Sequence, residues 1–267
     1  GSLELTSNAG IASLTNGEGN AGNVTIRAKD HVSLSGINSG IASSVAFLGV
    51  GDGANIDIQA QKVSLDNSAQ ITTGTLGKGN SGNIQINVDD SLFVNGGSAI
   101  LASSFGQGNA GKVTIEAGNT VSFDGIGSNN VSSGVFTFVG AFATPEIEFT
   151  GDRLGGDIKI TTGSLSLTNG ARIDSGTNGQ GNAGNIFVQA NYAISLSNSS
   201  NIFSNVEPGA EGNGGVIDIN AKSLSLINGS QIQTIIRSGS ETIPGGKGEA
   251  GNININVGGE LALFGIG

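Results

Sequence analysis

The chain has 267 residues, with 47 Gly, only 3 Pro and no Cys, Met or Trp. Lack of Cys excludes disulfides and thiolate metal sites, and high Gly without a triplet rule excludes collagen. A net charge of −10 with only 11 Lys and Arg argues against a nucleic-acid partner, because phosphate binding needs a basic stripe.

In chain order, the alternations Leu3/Leu5 and Ile11 predict two short strands, followed by a Gly-Asn-Ala-Gly-Asn turn at 19–23 and a strand anchored by Val24 and Ile26. The same series then returns: Val32/Leu34 and Ile41, a weaker turn at 51–55, Ile56/Ile58, Val63/Leu65 and Ile71. The turns at 79–83, 108–112 and 181–185 are close copies of the first, and those at 155–157, 212–216 and 248–252 are degenerate ones. After each comes a first strand, anchored by Ile84, Val113, Ile158, Ile186, Ile217 and Ile253 in turn. Leu92/Val94, Val121/Phe123, Leu165/Leu167, Ile194/Leu196, Leu224/Leu226 and Leu261/Leu263 mark second strands. Ile100, Val131, Ile173, Ile202 and Ile232 mark third strands.

A unit repeated at this length is a solenoid, since no single repeat buries its apolar face alone. Runs of 4–6 residues interrupted by Gly suit strands, not helices. The predicted fold is all-β: a three-sided parallel β-helix of about eight turns plus partial ends, with rungs about 4.8 Å apart. Residues 1–267 form one domain, and both ends fall inside a repeat, which predicts a piece of a longer array. Gly and Asn suit the corners because they tolerate positive φ, and stacked Asn side chains form hydrogen-bonded ladders. A phosphate-binding reading of these glycines lacks the helix it needs, and no calcium-binding nonapeptide run recurs. No apolar run approaches a membrane span, and no signal-peptide pattern is present.

The regular series breaks at an insertion, about 126–156, that carries Phe136, Phe138, Phe142 and Phe149. It reads as an extra strand pair against the rod, or as a partner or glycan contact, because aromatics anchor interfaces. These four are the candidate contact residues. A second insertion, 235–247, reads as a surface loop. The nearest candidates for acid–base chemistry are Asp89 with Asp90 and Asp152 with Asp157; each reads as solvated turn residues. His31, the single His, has no catalytic partner at a motif spacing. No catalytic residue, metal site or cofactor is predicted.

Residues 163–188, Gly-Ser-Leu-Ser-Leu-Thr-Asn-Gly-Ala-Arg-Ile followed by Gly-Asn-Ala-Gly-Asn-Ile-Phe-Val at 181–188, resemble repeats of cyanobacterial filamentous-haemagglutinin-like exoproteins. The resemblance covers the chain apart from 126–156. It implies a right-handed parallel β-helix passenger of the two-partner secretion pathway, exported through an outer-membrane partner transporter. It also implies a place outside a Gram-negative, cyanobacterial cell, in adhesion or extracellular structure. The family's Asn-Pro-Asn secretion motif is absent: Pro145, Pro208 and Pro244 lie in other contexts. The expected role is a non-enzymatic shaft and contact surface of a secreted or cell-surface fibre, with surface glycans or other copies of the chain as partners. A filament or sheath subunit assembled end to end is the alternative, and a polysaccharide-active β-helix enzyme is a third reading.

Overall fold

The computed structural model describes residues 1–128, 130–140 and 153–265. The described residues are strands and turns, with no helix. A partial turn opens the chain, with β1 (Leu3–Thr6) and β2 (Gly10–Thr15). Three turns follow, of which the second and third run through two faces without a break: β3 (Val24–Arg27), β4 (His31–Ser35), β5 (Gly40–Val45); β6 (Ile56–Asp66), β7 (Gln70–Thr75); and β8 (Ile84–Asn95), β9 (Ala99–Ser104). The next two are β10 (Val113–Ala117), β11 (Thr120–Asp124), β12 (Gly134–Phe136) and β13 (Ile158–Thr162), β14 (Ser164–Thr168), β15 (Arg172–Asp174). Then come β16 (Ile186–Ala190), β17 (Ala193–Leu196), β18 (Asn201–Phe203) and β19 (Ile217–Ala221), β20 (Ser223–Ile227), β21 (Gln231–Gln233). A second partial turn, β22 (Ile253–Val257) and β23 (Leu261–Phe264), closes the series.

Three faces result, each a stack of parallel strands. The first runs from β3 to β22, the second from β1 to β23 and the third from β2 to β21. Because β6 and β8 carry hydrogen bonding around the first corner, the first two faces merge into one 15-stranded sheet. The register shifts between Ala60 and Lys62, where β6 bends. Seven turns occupy all three faces. The last first-strand anchor, Ile253, belongs to the closing partial turn rather than to an eighth complete one.

Register places the predicted anchors in columns. Val24 pairs with Ile56, Ile56 with Ile84, Ile84 with Val113, and so on to Ile253. From Ile56 to Ile217 these side chains are buried, and at roughly 1.5–3 kcal/mol each they supply the main drive to coil the chain. One expected anchor is corrected. Val135, not Val131, pairs with Ile100 and Ile173 and fills the core, while Val131 is 36% exposed. The chain reverses tightly just before β12: Asn130 takes φ 61°, Gly127 N donates to Val131 O, and Ile126 bridges Ser132 antiparallel. That excursion absorbs the residues that a constant repeat length would place in the strand.

The Gly-Asn corner satisfies its backbone through its side chains. The N–H groups of Asp52, Asn80, Asn109 and Leu154 donate to the side-chain oxygens of Asn20, Asp52, Asn80 and Asn109, each one turn earlier. A parallel ladder joins Asn55, Asn83 and Lys112 to Asn23, Asn55 and Asn83. So the ladder at this corner runs from side chain to main chain. Stacking of amide on amide occurs at the corner before the third face, from Asn228 to Asn198 to Asn169. There Asn169, Asn198 and Asn228 hold φ of 55°, 54° and 52°, a region Asn enters at low cost.

Inside the rod, the position two residues after each third-strand anchor carries a hydroxyl that faces the Gly-Asn corner. Ser43, Thr73, Thr137, Ser175, Ser204 and Thr234 donate to Gly22, Gly82, Gly156 (twice), Gly184 and Gly251 carbonyls. Ala102 stands in this column without a hydroxyl.

Candidate ligand-contact site on the third face

Strand alternation turns the residue after each third-strand anchor outward. Along the rod that column reads Ala12, Ala42, Thr72, Leu101, Phe136, Asp174, Phe203 and Gln233, in register. Two residues on, a second outward column reads Leu14, Ser44, Gly74 and Ser103, then Phe138, Gly176, Asn205 and Ile235. The face therefore changes character along its length. Its first half is a shallow groove of about 310 Å³ among Leu14, Thr72, Gly74, Leu76, Leu101 and Phe105.

Charge and aromatic rings gather in the second half. Phe136 is buried, and its ring centroid lies 5.7 Å from that of the half-buried Phe138. Next in the first column stands Asp174, 5% exposed. Burial pushes its carboxyl up to about 7; neighbouring Glu207 adds to the rise, while Arg172, the Gly176 N–H and Arg237 oppose it. Gly176 N donates to Asp174 Oδ1 at 3.1 Å. Phe203 follows, with the guanidinium carbons of Arg172 and Arg237 at 5.9 and 5.5 Å from its ring centroid, within cation–π range. Arg237 Nε donates to Glu207 Oε1 at 2.9 Å, which fixes one guanidinium and one carboxylate together.

The second column carries no side chain at this level, and its neighbours already fill the position. Gly176 has no side chain, and a Cβ there would lie 3.1 Å from Asn205 O and 3.2 Å from Asp174 Oδ1. Asn205, fully buried one rung on, accepts from Ile235 N through Oδ1. Among the described residues its Nδ2 has no hydrogen-bond partner, an arrangement that costs roughly 1–3 kcal/mol.

Of the predicted contact residues, the structure brings Phe136 and Phe138 together, with Phe136 covered and Phe138 partly open. Phe142 and Phe149 lie outside the described residues. Asp174, Phe203, Asn205, Glu207, Arg172 and Arg237, which stand in no sequence motif, join them. Aligning the repeats on their third-strand anchors is the signal that exposes this column. The carboxylates that the sequence singled out hold other positions. Asp90 accepts from Asn119 Nδ2 at 2.6 Å and pairs with Lys62 at 3.2 Å; the Asn119 hydrogen bond, then Lys62, holds its pKa below the usual carboxylate value. Asp157 Oδ1 accepts from the backbone and side chain of Asn185 and restarts the corner ladder after Lys112, and Asp152 lies outside the described residues. His31 sits among Ser2 and Glu4 near the start of the rod.

No family model, no curated protein and no solved structure matches the chain.

Proposed function

We propose that this chain is a non-enzymatic rod segment of a secreted or cell-surface fibre of the filamentous-haemagglutinin-like kind, in which the solenoid bears load and one face makes contacts. The observation that carries this reading is the continuity of the strand stack. Parallel pairing and one aliphatic interior run through seven turns without a break between units, the construction of a stiff spacer, while the corner side-chain ladders pause at Lys112 and Leu154 and resume at Asp157 and Asn182. Export through an outer-membrane partner transporter belongs to the same reading. Gold-labelled antibodies against the chain test it on cells: labelling of intact cells is expected, and labelling only after permeabilisation would contradict it.

A further inference from the structure

We propose that the groove across the start of the first face, centred on Asp57, binds a neutral oligosaccharide. It lies on a different face from the contact surface described above. Its test uses the purified chain, so failure of the extracellular reading and failure of this site appear in different measurements.

The groove is open to solvent and holds about 450 Å³. Along it runs the outward column Thr25, Asp57, Gln85 and Thr114, in register on β3, β6, β8 and β10. Beside that column stands the exposed corner column Asn23, Asn55, Asn83 and Lys112. Four rungs at the parallel strand spacing give a length of about 14 Å, which suits a chain of sugar rings better than a single ring.

Both columns carry hydrogen-bonding groups that the fold does not use. The Oδ1 atoms of Asn23, Asn55 and Asn83 accept from the backbone of the next rung. Among the described residues their Nδ2 groups meet no acceptor, and the Lys112 ammonium has no ion-pair partner. The result is a row of donors, one per rung. Asp57 supplies the acceptor. It is half-buried; among the described residues its Oδ1 is covered without a donor, and its Oδ2 stays open. The adjacent Gln85 directs its Nε2 elsewhere, to Asn87 Oδ1 at 2.8 Å. A hydroxyl both donates and accepts, so a polyol answers a row of donors beside an acceptor.

Charge complementarity selects among ligand classes. One carboxylate and one ammonium, two rungs apart, leave the groove without net charge and favour a neutral ligand. A polyanion would meet Asp57 in the groove of a chain of net charge −10. A polyamine would meet Lys112 and three amide groups that can only donate to it. An apolar ligand would strip water from Asp57 and the amides without replacing its hydrogen bonds.

Calorimetric titration of the purified chain with cellotetraose, mannotetraose, galactotetraose, tetragalacturonate, spermine and tetraglycine tests the proposal. Saturable binding of at least one neutral tetrasaccharide is expected, with an affinity that hardly changes between low and high salt. It should weaken at least tenfold in Asp57→Ala and in Gln85→Trp, which fills the groove at mid-length, and stay unchanged in Gln189→Ala farther along the same face. All three positions point outward from their strands, and circular dichroism checks that each variant folds. Should Gln85→Trp not fold, Thr114→Trp replaces it with the same expectation. No binding of any neutral sugar, tighter binding of tetragalacturonate, spermine or tetraglycine, or wild-type affinity in either folded groove variant would overturn it.

Discussion

A Cβ built on Gly111 would lie 1.8 Å from the carbonyl oxygen of Gly82 in the preceding turn. No side chain fits, because the corners of successive turns stack backbone on backbone at the strand spacing. Gly111→Ala should therefore destabilise the rod by on the order of 3 kcal/mol or more, seen as a large drop in the denaturant midpoint; a small drop would mean the corners are not stacked this closely. Ser204 works by hydrogen bonding instead. It donates to Gly184 O and accepts from Gly215 N, so Ser204→Ala should cost about 1–3 kcal/mol in the same assay. Asp174 makes stability depend on pH. Its folded pKa, about 7, lies above the ordinary 3.8, so the folded state holds its proton where the unfolded state has lost it. Stability should then fall as pH rises from about 4 to about 7 and stay low above that. Asp174→Asn should flatten this slope and stabilise the chain at pH 8 by a few kcal/mol at most; an unchanged slope in urea melts across this range would contradict the assignment.

Strands in this molecule owe their stability to their neighbours in the next turn rather than to their own length. Ile86 on β8 is fully buried and stands in register with Ile58 and Ile115. Ile86→Ala should cost about 2–5 kcal/mol, and hydrogen exchange should accelerate most in β6, β8 and β10, since a solenoid couples each repeat to those beside it. Uniform acceleration along the whole chain would argue for a single shared core instead. These anchors were legible in the sequence because the apolar alternation that names them is the same alternation that buries them. Val131 misled for a physical reason: a tight reversal at Gly127–Val131 shifts the strand by four residues, and only the three-dimensional register reveals that Val135 takes the core position. The hydroxyl column at Ser43, Thr73 and Ser204 was visible in principle as Ser or Thr two residues after each anchor, but small polar residues in a strand read as outward-facing until the corner they satisfy is known. The site on the third face was half legible. Phe136 and Phe138 stood out in an insertion, whereas Asp174, Phe203, Asn205 and Glu207 sit in regular repeats and come together only by stacking.

The whole molecule is a rod whose faces differ. On the second face an outward column of Ser33, Ser64, Ser122, Ser166, Ser195 and Ser225, interrupted by Phe93, runs in register through seven rungs, and hydroxyls touch at 3.2 Å between Ser33 and Ser64 and between Ser195 and Ser225. The third face concentrates charge and aromatic rings at one level. A stiff rod with one differentiated face presents contacts at fixed spacing, which is what the proposed function asks of it. The chain contains no Cys, so paired spin labels can be placed without background. Electron–electron resonance between Ser33→Cys and, in turn, Ser166→Cys, Ser195→Cys and Ser225→Cys measures the stack directly. Distances of about 19, 24 and 29 Å, rising by about one rung of 4.8 Å each time, are expected; broad or equal distances across the three pairs would contradict the solenoid.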